Sequence, residues 1–218
     1  MGADSQALIR LGGTAAVLAL LALLAGGTAM AVVGAPGTAQ VLEAIGRNPW
    51  PHLVGGAALA LVSLLDMFTV PALHRVLLSN GPSLVTVATG TALVGDLLGV
   101  LGRLAQTASV VAASIPDPSG AISALSVLDV LDATLNTAGF LLVSVSFACF
   151  GLLMRRGFSR VLGTVALGAG VCTFTGQFPG LAPLFYLANL GFLWWYLGLA
   201  VRFLRGSRRP STPATSQA

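Results

Sequence analysis

Residues 83–108 read SLVTVATGTALVGDLLGVLGRLAQTA, and this stretch decides the fold class. A helix that crosses a bilayer needs roughly 20 mainly apolar residues, because the hydrocarbon core is about 30 Å thick. This stretch is long enough, and Asp96 and Arg103 are its only charged residues. Five further runs have the same character: residues 8–33, 52–73, 128–154, 161–178 and 181–204. Continuous apolar runs of this length exclude transmembrane β-strands, which read as roughly ten-residue segments of alternating polarity. The expectation is an all-α bundle of six transmembrane helices over residues 1–205, with a disordered cytoplasmic tail at 206–218.

Composition agrees with that reading. Charged residues make up 8% of the 218-residue chain and hydrophobic ones 56%, where a soluble domain carries about a quarter charged residues. The net charge of +4 does not point to nucleic acid. The arginines sit at the ends of the apolar runs, and no basic stripe with interleaved aromatics is present. Cys149 and Cys172 lie inside apolar runs and read as small buried thiols.

Two readings of the first run stay open. Arg10, the apolar stretch after it and Ala29-Met30-Ala31 resemble a signal peptide with its cleavage site. The favoured alternative is an uncleaved first helix, because the apolar stretch continues to Val33. Cleavage would leave five spans in unchanged orientation.

Arginine placement predicts orientation. With a cytoplasmic N-terminus, Arg10, Arg75, Arg155, Arg156, Arg160, Arg202, Arg205, Arg208 and Arg209 all face the cytoplasm. Only Arg47 falls in an outer loop. Positive charge accumulates inside, so both termini are expected there. Val41, Leu42 and Ile45 against Glu43 and Arg47 predict a short amphipathic helix on the outer interface, anchored by Trp50. Trp194, Trp195 and Tyr196 read as an aromatic belt in the last span. Pro116 to Gly120 breaks the third span from the fourth. Pro71 and Pro183 are candidate kinks. The tail arginines are placed to touch anionic lipid headgroups.

Ionisable residues inside a membrane are costly, so each is a candidate site. Asp66 and Asp96 lie on consecutive antiparallel spans at similar distance from the cytoplasmic end, about 13 and 20 Å by helical rise. If the two meet, one holds a proton, because two like charges in a low-dielectric site do not both ionise cheaply. A proton-coupled transporter uses such a pair, and acids capped within a packed bundle are the competing reading. Arg103 lies in the outer half of the third span. Asp129 and Asp132 open the fourth on that side, three residues apart and so on one face. They are the candidate intramembrane ion pair, either a clamp between two helices or part of an outward-facing pocket. Gly95 and Gly99 form a G-x-x-x-G that lets another helix approach closely. His52 and His74 stand about 33 Å apart on one span, so they cannot share a haem, and no zinc or other metal site is readable. No cofactor is expected.

Two stretches resemble a known family. One is GLLMRRGFSRVLG at residues 151–163, followed by Gly168 and Gly170. The other is LHRVLL at 73–78, with Arg103 beyond it. Over residues 56–170 they resemble a prokaryotic six-span membrane family catalogued only as a domain of unknown function. That family usually carries proline before the arginine matching Arg160, where this chain has Ser159. The resemblance implies six helices and residence in the cytoplasmic membrane, and no activity. The leading functional expectation is a structural, accessory or regulatory membrane protein. The alternative is a small proton-coupled transporter or channel using Asp66 and Asp96, and the third a membrane-embedded enzyme or lipid-binding protein.

Overall fold

A computed structural model describes residues 3–33, 38–178 and 180–206. Among these residues all regular structure is helical. Seven α-helices follow in order: α1 (Ala3–Val33), α2 (Thr38–Arg47), α3 (Trp50–Leu77), α4 (Pro82–Ala112), α5 (Pro118–Gly157), α6 (Arg160–Thr175) and α7 (Ala182–Gly206). A 3-10 turn at Leu78–Asn80 joins α3 to α4. Five helices (α1, α3, α4, α5 and α7) are long and apolar enough to cross a membrane. The remaining long run of the sequence forms α6, whose 16 residues rise about 24 Å. The tail residues 207–218, with Arg208 and Arg209, lie outside the described residues.

Helix boundaries follow local chemistry. The break before α5 is shorter than expected and ends at Asp117, because Pro118 occupies the first helical turn, where its missing N–H costs nothing. The Asp117 carboxylate caps this start by accepting from the backbone N–H groups of Ser119 and Gly120. α5 therefore runs 40 residues, about 60 Å, and starts well before residue 128. At α6 the Ser159 hydroxyl accepts from Leu162 N at 3.3 Å, a cap that the proline of the resembling family could not supply. Pro71 sits inside α3 without ending it. Pro183 falls in the first turn of α7, a tolerated position and not a kink.

The long helices form a closed ring in the order α1, α3, α4, α5, α6, α7 and back to α1. α2 lies outside it against α5, with Ile45 buried. Small residues set the spacing. A methyl group on Gly95 would lie 2.9 Å from Gly139 O, and one on Gly139 would lie 2.8 Å from Gly95 O, so α4 and α5 touch backbone to backbone. The ring's exterior is apolar: Leu21, Leu61, Phe68, Val94, Leu104, Val145, Leu190 and Trp194 are exposed. A surface this apolar around every long helix is suited to lipid rather than water.

The interior is filled largely from α7. Phe192, Trp195, Tyr196, Leu199 and Phe203 are all buried. Their spacing puts them on one helical face. The Phe147 ring of α5 meets Phe192 at 4.8 Å and Trp195 at 4.6 Å between centroids. This corrects the aromatic-belt expectation. Trp195 is 1% and Tyr196 4% exposed, so neither can anchor at a lipid interface. Trp194, one helical step away, is exposed, as is Trp50 at the start of α3.

Most of the described arginines, all but Arg47 and Arg103, gather at one end of the ring. Arg75 Nε donates to Ser5 Oγ at 3.2 Å, joining the end of α3 to the start of α1. Arg202 Nη1 donates to Phe158 O at 2.6 Å and its guanidinium lies 5.0 Å from the Phe158 ring centroid, joining α7 to the α5–α6 turn. Arg10, Arg155, Arg156, Arg160 and Arg205 share this end by their positions on the same helices.

Candidate functional site

The antiparallel register of α3 and α4 is fixed by three near contacts. Gly56 faces Thr107, Gly99 faces Ser63, and His74 Nδ1 hydrogen-bonds Thr89 Oγ1 at 2.9 Å. In that register Asp66 falls opposite Asp96. Both are buried, at 7% and 6% exposure, and both line one internal space together with Ser146, Phe147, Phe150 and Trp195. The space is about 10 Å³, enough for about one water molecule.

Asp66 is held from across the ring. Tyr196 Oη donates to Asp66 Oδ2 at 2.5 Å. α1 separates α3 from α7 in the ring, so this bond runs through the ring interior. Three other buried atoms at the same place have no hydrogen-bond partner among the described residues: Asp66 Oδ1, Ser146 Oγ and Trp195 Nε1. A buried polar group without a partner costs about 1–3 kcal/mol, so an isolated one is rare in a folded protein. Here residues that carry an acceptor, a donor and a hydroxyl that can be either line one space from α3, α7 and α5. This arrangement can bind a proton, or a small molecule with both donor and acceptor capacity.

Sequence reasoning found the two acids, assigned Trp195 and Tyr196 to an interfacial belt instead, and missed Ser146. The missed signal is the spacing of large residues on α7, with a tyrosine on its buried stripe. A buried tyrosine hydroxyl needs a polar partner.

A second polar level lies toward the opposite end from the arginine cluster. Arg103 and Asp132, on α4 and α5, are half-buried and near enough to attract one another electrostatically. Arg103 Nη1 donates to Gln106 Oε1 at 3.0 Å. Asn136 Nδ2 donates to Asp132 Oδ1 at 2.5 Å and occupies the notch left by Gly102. Asp129 is exposed on α5, one turn earlier, and acts on Asp132 as a like charge. The three candidates thus share a level, with Asn136 and Gln106 as additional polar partners. On α2, Arg47 and Glu43 form an ion pair one turn apart.

Among the described residues no group of three metal-ligating side chains occurs. His52 Nδ1 is buried and unpartnered near the start of α3, on the far side from His74. Cys149 and Cys172 are free thiols.

No curated protein and no solved structure matches the chain. A family model matches residues 12–206, the whole helical ring apart from the start of α1. The chain belongs to this family, DUF4386, a domain of unknown function.

Proposed function

We propose that this is a six-span proton-coupled transporter of a prokaryotic cytoplasmic membrane, and that Asp66 and Asp96 hold its proton. One observation carries the reading: two carboxyl groups from adjacent helices face one enclosed space inside the ring, with unpartnered polar atoms around them. Acids that served packing alone would have their oxygens fully bonded, because an unmade bond in such a site gains nothing. A bare Asp66 oxygen beside a second carboxyl is suited to a proton that binds and leaves.

The orientation reading supports this function. The arginine-rich end is cytoplasmic by the positive-inside rule, which puts both termini there when α6 also spans, giving six spans in all. α6 is shorter than the hydrocarbon core, and a short span is accommodated by local thinning of the bilayer. The polar level at Arg103 and Asp132 then faces the outer half, and Trp50 and α2 lie on the outer interface.

The experiment is infrared difference spectroscopy on the purified chain in lipid, with pH as the perturbation. A carboxyl band that titrates, disappears in Asp66→Asn and shifts in Asp96→Asn supports a coupled proton-binding pair. Proteoliposomes then read proton movement directly with an internal pH dye. A carboxyl band that stays fixed at every pH at which the protein remains folded defeats this reading. It would favour the structural role, to which the tight packing of Trp195, Phe147 and Phe150 around the acids also lends support.

A further inference from the structure

At the arginine-rich end, the last turn of α5 and the first of α6 border an open cleft of about 410 Å³, lined by Leu152, Arg155, Arg156 and Arg160. We propose that this cleft is a binding site for the phosphate of an anionic phospholipid. Three observations carry it. First, three arginines line one concavity, and among the described residues no carboxylate pairs with any of them. Asp4, the acid on that end of α1, sits beside Ser5, which Arg75 holds. Second, the cleft is built. A methyl group on Gly163 would lie 2.6 Å from Arg155 Cγ, so the missing side chain lets the Arg155 stem lie against α6. The adjoining turn is tied down by Arg202 on Phe158 O and by the Ser159 cap. Third, the wall toward the middle of the ring is apolar and outward-facing: Leu152 is 43% exposed, and Val161 beside Arg160 is 73% exposed.

Guanidinium forks match phosphate oxygens two at a time. A free phosphate would use the arginines and leave the apolar wall idle. A phospholipid uses both, with its headgroup among Arg155, Arg156 and Arg160 and its chains along Leu152. The site is independent of Asp66 and Asp96, which lie within the ring interior.

The test uses the full-length chain in micelles holding equal amounts of phosphatidylglycerol and phosphatidylcholine, read by native mass spectrometry. The expected result is retention of phosphatidylglycerol over phosphatidylcholine. Arg155→Gln/Arg156→Gln/Arg160→Gln should weaken it roughly a hundredfold, about a factor of five per arginine. Arg205→Gln, which removes an arginine outside the cleft, should change it little. Should the glutamine variant fail to fold by circular dichroism, the triple Arg→Lys variant decides. It keeps the charge and loses the fork, and several-fold weaker retention is expected. Equal retention of the two lipids, or full retention by either folded triple variant, overturns the proposal. Displacement of phosphatidylglycerol by millimolar inorganic phosphate would overturn the lipid assignment and give the cleft to a free anion.

Discussion

Replacing Tyr196 with phenylalanine isolates the one direct bond that the site makes across the ring. The ring packing survives, since Trp195 and Tyr196 meet at 5.2 Å through their aromatic faces and edges. Only the hydroxyl is lost, and with it the 2.5 Å bond to Asp66 Oδ2. Two magnitudes bound the effect. Hydrogen bonds between membrane helices average about 0.6 kcal/mol and reach about 1.7, because the separated helices find other partners. Stripping a buried acceptor of its donor costs about 1–3 kcal/mol. The second figure governs here, because Asp66 is buried and its other oxygen is already unpartnered. The expected loss is about 1–2 kcal/mol. Asp66→Leu, which keeps the branched four-atom skeleton, removes the other side of the bond. The double variant should be more stable than the two single losses imply, because neither partner is then left bare. The assay is reversible unfolding in mixed micelles, with all four proteins in one double-mutant cycle. A coupling energy below about 0.3 kcal/mol would refute the idea that this bond ties α3 to α7.

Three further outcomes are expected. Gly95→Ala puts a methyl group 2.8 Å from Val143 Cγ2 and 2.9 Å from Gly139 O, and should cost about 1–3 kcal/mol as α4 and α5 move apart. Gly90→Ala on the same helix meets nothing within 4 Å and should be neutral; equal melting shifts in the two would undo the close-approach argument. Arg103→Asp and Asp132→Arg should each lower the melting temperature and together restore most of it, and a swap no better than the worse single change removes the attraction between them. The Ser119 hydroxyl, then the N–H groups of Gly120 and Ser119, hold Asp117 below the usual carboxylate value near 3.8. Because the folded value is the lower one, this cap stabilises at higher pH and is lost as pH falls through and below that value. Asp117→Asn should therefore flatten the acid limb of melting temperature against pH, and an unchanged limb would show that the cap contributes nothing.

The long helices were readable because lipid imposes one demand, a long apolar run, and residues 83–108 meet it without ambiguity. The level of Asp66 and Asp96 was readable too, by counting residues along two helices joined by a short turn. Other features depend on contacts that periodicity does not carry. The start of α5 moved to Pro118 because Asp117 caps it, where the Pro-Asp-Pro-Ser-Gly segment had read as a single break. The length of α6 follows from its own ends, the Ser159 cap and the Gly176 terminus, which make it shorter than the apolar run around it. Tyr196 and Trp195 were misread because clustered aromatic residues in the half of a span toward its arginines suit both a lipid interface and a packed centre. Which one applies depends on closure of α7 against α1 and α6, a matter of tertiary contact. The large-residue stripe from Phe192 to Phe203 carried that information, and composition alone hid it.

The location of the Tyr196–Asp66 bond bears on how the site could work. Each ring helix packs on the two beside it, so most contacts survive small rotations of the whole. The central contacts behave differently. Asp66 comes from α3, Asp96 from α4, Ser146 and Phe147 from α5, and Trp195 and Tyr196 from α7. A rotation of α7 that withdrew Tyr196 would also move Trp195 off Phe147, because one helical face carries both. The acids would lose their donor and the central plug in the same movement. A change of charge at Asp66 changes the strength of its bond to Tyr196, and so biases the packing of α7. Under the proposed proton-coupled function, protonation and opening of the ring centre would be two readouts of one equilibrium, each shifting the other by the same coupling free energy. Locking α7 to α3 with a cysteine pair should therefore suppress both the titrating carboxyl signal and proton movement, where a purely structural acid pair would keep its spectrum unchanged.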